Sequence, residues 1–92
     1  MAKNGITKTV GTSEVTFLYG TDITVLCDEY WVHCPDTNSV DIWVNMDPAG
    51  TTTAVGGDNH TFVRPGESVP FPELPLKVIA SAASQSVTVA KQ

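Results

Sequence analysis

The sequence predicts an all-β chain: one antiparallel β-sandwich, jelly-roll or immunoglobulin-like, of about seven to eight short strands with an extended N-terminal arm. Composition points that way first. Val, Ile and Thr supply 28 of the 92 residues and Leu only four, a bias that suits a pleated, half-buried surface. Turn signals recur about every ten residues, and no apolar run at helical spacing competes with them. The stretch from Val40 to Phe71 shows the pattern best, with Val40, Ile42, Val44 and Met46 alternating against Asp41, Trp43 and Asn45.

Residues 1–12 are polar, with Ile6 and Val10 as their only clearly apolar anchors, and read as an arm preceding a 13–92 sandwich domain. Glu14 to Tyr19 alternates Val15, Phe17 and Tyr19 against Thr16 and Leu18. Gly20-Thr21-Asp22 should turn it into a hairpin with Ile23 to Asp28. Tyr30 to Cys34 is a short aromatic strand, closed by the loop Pro35 to Ser39. After the strand at Val40 to Met46, Asp47-Pro48-Ala49-Gly50 makes a turn, and Thr51 to Thr53 should carry another strand to Gly56-Gly57-Asp58-Asn59. His60 to Arg64 follows. Arg64-Pro65-Gly66-Glu67 then suits a type II turn, with Pro65 setting one angle and Gly66 free to take the positive one. Ser68 to Phe71 leads into Pro72-Glu73-Leu74-Pro75. With Pro70, these prolines belong at a sheet edge, because each lacks an amide donor and blocks unwanted pairing. Leu76 to Ala80 and Ser86 to Ala90 complete the strands. On this face count Leu18, Leu26, Trp43 and one of Tyr30 and Trp31 point away from the expected core.

The totals exclude several functions. Ten acidic residues against five scattered basic ones give a net charge of -5, so no electropositive track is offered to nucleic acid. No apolar run approaches a membrane span, and the first residues lack the apolar core of a secretion signal, so a chain made in a cytoplasm is expected. Cys27 and Cys34 lie seven residues apart and could meet as a disulfide only if they fall on adjoining strands. With His33 and His60 they match no zinc spacing, and no EF-hand loop gathers the turn acids. No nucleophile motif accompanies the histidines, and a chain this short leaves little room for a cleft. The expectation is a non-enzymatic protein without a cofactor.

From the organising stretch onward, the order of features resembles small structural proteins of tailed bacteriophage virions. The pieces are IWVN at Ile42 to Asn45, GGDN at Gly56 to Asn59, RPGESVPF at Arg64 to Phe71, LKVIASAAS at Leu76 to Ser84 and SVTVA at Ser86 to Ala90. They cover about half the chain, and their order carries the likeness. The resemblance implies a β-sandwich on the virion that decorates or cements a capsid, binding the major capsid protein or another virion protein. Self-association is expected as well, from the small size of the core, with a trimer among the forms allowed. A domain with a small core gains stability from such a lattice partner. Candidate contacts are Ile6 and Val10 in the arm, Trp31, Trp43, and the edge at Pro70, Pro72 and Pro75. The alternative is a tail, neck or head-fibre module that binds a receptor or carbohydrate, stacking sugar rings on Tyr30, Trp31 and Trp43.

Overall fold

Alternation becomes eight strands in the computed structural model, which describes residues 3 to 91: β1 (Gly5–Val10), β2 (Val15–Phe17), β3 (Tyr30–His33), β4 (Ile42–Asn45), β5 (His60–Val63), β6 (Ser68–Phe71), β7 (Leu76–Ala80) and β8 (Gln85–Lys91). They form two four-stranded antiparallel sheets, ordered β1-β8-β3-β6 and β2-β7-β4-β5. β1 pairs with β8, β2 with β7, β3 with β6 and β4 with β5, so the first half of the chain lies antiparallel against the second. The β3–β8 and β4–β7 pairings then join these ribbons into sheets. Between the sheets Phe17, Ile42, Val44, Val63, Val78, Val87 and Val89 are fully buried. Their burial is the main favourable term in holding the sheets together.

Four expectations need correction. The stretch read as an arm supplies β1, paired along its whole length with β8; residues 1 and 2 lie outside the described residues. Ile6 packs against the core and Val10 is buried, so neither is a free contact. The inward pattern was hidden because Lys8 holds the position between them. It can do so because Asp22 lies 3.0 Å from its ammonium group and the Phe17 ring sits beneath it at 5.0 Å.

The hairpin expected from residues 14–19 and 23–28 does not form. Asp22 Oδ2 accepts the Leu18 N–H at 2.8 Å, and the amides of Asp22 and Ile23 both donate to the Leu18 carbonyl. The chain is thus folded back before a second strand can pair, and residues 18–29 are irregular apart from an isolated bridge between Tyr19 and Ile23. Thr51 to Thr53 likewise make no strand. Asn45 is fully buried and donates to the Thr51 carbonyl at 2.8 Å and to Thr53 Oγ1 at 3.0 Å, drawing that segment over its side chain. Lastly, Met46 and Tyr19 continue the inward phase of β4 and β2 in the sequence but lie beyond the strands and are exposed. The Arg64 turn forms as read, with Gly66 at φ 89° and the Glu67 N–H donating to the Arg64 carbonyl at 2.9 Å.

Two hydrogen bonds set the phase of the first sheet. The Lys91 N–H donates to the Asn4 carbonyl at 2.8 Å, and the Cys34 N–H to the Glu67 carbonyl at 3.0 Å. In an antiparallel ladder alternate residues bond to a given neighbour, so Gly5, Thr7 and Thr9 turn their backbone groups away from β8. By the same phase Pro70, opposite Trp31 on edge strand β6, stands where its nitrogen faces outward, and its missing donor costs the ladder nothing.

Candidate binding surfaces

The antiparallel wrapping sends the connections to opposite ends of the sandwich. Residues 11–14, 34–41, 64–67 and 81–84 join strands at one end, and residues 18–29, 46–59 and 72–75 at the other.

The first end satisfies itself. Ser86 turns its backbone toward β3 where β3 has stopped, and the Asn38 side chain takes the vacant place: its Nδ2 donates to the Ser86 carbonyl at 2.7 Å and its Oδ1 accepts the Ser86 N–H at 2.8 Å. Gln85 is buried. Its Oε1 accepts the Ser39 N–H at 2.8 Å, while its Nε2 donates to the Ala83 carbonyl at 2.9 Å. Buried polar groups demand such partners, and here one side chain joins two connections.

The second end is apolar and open. Five of the six exposed large apolar side chains among the described residues lie in its connections: Leu18, Tyr19 and Leu26 before β3, Met46 and Val55 after β4. Leu26 is 78% exposed, far beyond what a core-facing leucine would show. The 72–75 connection runs between two depressions. One, of about 430 Å³, is lined by Met46, Pro48, Phe71, Pro72, Leu74 and Pro75 among others. The other, of about 250 Å³, is bounded by Tyr19, Leu26, Tyr30 and the opposite flank of Pro72 and Leu74. Asp47 and Glu73 line them, and neither they nor Asp28 and Glu29 in the same connections are in an ion pair among the described residues. Asp22, deeper at this end, is treated differently. Desolvation pushes its carboxyl upward, but the Leu18 amide and Lys8 outweigh that and hold it below the ordinary aspartate value.

The residues expected at a contact are divided. Pro72 and Pro75 lie at the apolar end. Trp31 and Pro70 are cross-strand neighbours on the outer face of the first sheet. That face also presents Thr7, Thr9, Thr88, His33 and Ser68, and carries no Asp, Glu, Lys or Arg. Trp43 lies on the outer face of the other sheet, its ring 5.2 Å from that of Phe62. Tyr30 points inward and is buried. The three aromatics therefore cannot form one sugar-stacking platform, because strand alternation and sheet membership send them in three directions. Leu18 and Leu26 read in sequence as pointing away from the core but not as contacts, and Met46 reads with the inward set of its strand. The signal was off-core phase for the two leucines and, for Met46, a place directly before the Asp47-Pro48 turn.

No metal arrangement emerges among the described residues. No three His, Cys, Asp or Glu side chains converge on a metal position. Cys27 and Cys34 are free thiols at opposite ends of β3, and burial pushes the Cys34 thiol up. His33 Nδ1 and Ser68 Oγ are 2.8 Å apart, a cross-strand pair with no third group orienting it. Compared with family models, curated proteins and solved structures, the chain matches none.

Proposed function

We propose that this chain is a non-enzymatic structural protein of a tailed-bacteriophage virion, a capsid decoration protein that seats its apolar loop end on the capsid lattice. The observation that carries the reading is the concentration of exposed Leu18, Tyr19, Leu26, Met46 and Val55 in the connections at one end, beside Pro72 and Pro75. Exposed apolar side chains gathered at one end mark an interaction site, since a chain gains nothing by keeping them wet. Seating removes that surface from water, and the self-satisfied end is left facing solvent. The strand order supports the same reading at the level of architecture. Pairing first with last and inward from there is how a long antiparallel ribbon rolls into a jelly roll, the finer type we assign, and jelly rolls serve in viral capsids as well as lectins. Fold alone decides no function, so the apolar end is the weightier support.

The test is sedimentation of the purified chain with phage capsids that lack it, with copies counted per capsid. Saturation at a lattice number in the hundreds is expected, and about a dozen copies or fewer would move the protein to a vertex, neck or tail. Absence of binding would overturn the decoration reading.

A further inference from the structure

β1 has six residues and is the longest edge strand of the sandwich; β2 has three, and β5 and β6 four each. Open edges invite pairing with another chain, and the other three are blunted. Pro70 puts a ring where β6 would offer an amide. In β2 the Thr16 carbonyl accepts from Lys8 Nζ at 2.8 Å. β5 turns outward only at His60 and Phe62, and the Arg64 amide that would extend that row donates to Glu67 Oε1 at 3.1 Å. β1 has no such device on its outward groups. Gly5, Thr7 and Thr9 are exposed, and their outward N–H and C=O groups have no partner among the described residues. Thr24 closes the edge only at its start, through its hydrogen bonds to Lys3. The one charge in β1, Lys8, points inward and is already matched by Asp22.

We propose that β1 pairs with β1 of a second copy, antiparallel about a twofold axis at Thr7, joining two four-stranded sheets into one continuous sheet. Three observations select a second copy as the occupant. In this register Thr7 faces the partner's Thr7 and Gly5 faces the partner's Thr9, so every outward backbone group on the three residues meets its complement. A shift by two residues would leave one of them unpaired. The side chains also fit: Gly5 has none to oppose the partner's Thr9, and Thr7 already makes a threonine pair with Thr88, Oγ1 to Oγ1 at 2.7 Å. Finally, copies of a chain with net charge -5 repel, and this edge adjoins an outer face whose strand residues include no Asp, Glu, Lys or Arg.

The experiment compares wild type with Thr7→Pro by sedimentation equilibrium over a range of concentrations, with amide hydrogen exchange on the wild type. The Thr7 N–H has no partner among the described residues, so proline there should be tolerated as it is at Pro70. The expected result is a wild-type dimer and a folded Thr7→Pro monomer. Exchange at Gly5, Thr7 and Thr9 should slow by at least about tenfold between dilute and concentrated wild type, while exchange at Phe62 stays unchanged. A monomeric wild type overturns the proposal, and so does a dimer that Thr7→Pro leaves at equal strength. If Thr7→Pro does not fold, the wild-type exchange decides: concentration-dependent protection at those three amides supports the pairing, and its absence overturns it.

Discussion

The two ends of the sandwich handle the same problem in opposite ways. Both must connect strands without leaving buried backbone groups unpaired. At the end held by Gln85 and Asn38, side-chain amides stand in for missing strand neighbours, and the connections close on one another. At the end of residues 18–29, 46–59 and 72–75, no hydrogen bond among the described residues joins one connection to another: Asp22 bonds Leu18 within one, Thr24 bonds Lys3 before β1, and Asn45 bonds Thr51 at the base of another. Apolar side chains are left between them. One end is closed by the chain's own hydrogen bonds, and the other leaves apolar side chains in water, where the proposed contact would lie. Stability should therefore reside at the first end and binding at the second.

The largest expected change in stability comes from Gln85→Ala. It removes the buried amide that holds the Ser39 N–H and the Ala83 carbonyl, and should lower unfolding free energy by about 2 kcal/mol in urea titrations, roughly 1 for each hydrogen bond. A loss below about 0.5 kcal/mol would erase the contrast between the ends. Leu26→Asp combined with Met46→Asp is the reciprocal test. Unfolding should shift by no more than about 0.5 kcal/mol, because both side chains already face water, while capsid affinity falls at least about tenfold. Equal capsid binding by that variant would remove the apolar end as the contact.

Asp22 links the apolar end to β1, and its effect should depend on pH. Its folded pKa lies below the unfolded value of about 3.9, so its stabilisation is complete above that value and disappears as pH falls through the folded value. Asp22→Asn should therefore be less stable than wild type by about 1–2 kcal/mol at neutral pH, with the difference closing in acid melts below about pH 4. A constant difference across that range would assign the effect to packing. The smallest expected effect lies away from both ends. The Trp31 indole N–H is buried without a partner among the described residues, so Trp31→Phe should leave thermal stability unchanged or raise it by up to about 1 kcal/mol.

What was legible locally was the rhythm of the chain. Ile42 and Val44 alternate inward as their spacing required, Pro70 stands on an edge strand, and Gly66 takes the positive φ its turn demanded. The candidate contacts were less legible. An exposed leucine in a loop and a leucine on a strand face look alike until the strand is known to stop. For Leu26 that depends on Asp22 capturing the Leu18 amide. Trp31 and Trp43 look equivalent in sequence and lie on opposite outer faces, because β3 and β4 belong to different sheets.

By itself the sequence determined the all-β class, most of the strands and turns, and the acidic charge, since each follows from residues within a few positions of one another. Only the tertiary structure decided that residues 5–10 form a strand and that one end is closed while the other stays open. Those outcomes rest on Lys8 meeting Asp22, Asn38 meeting Ser86 and β1 meeting β8. Long-range pairs of this kind carry no periodic signal, and each is stable only once the rest of the sandwich holds its partner in place.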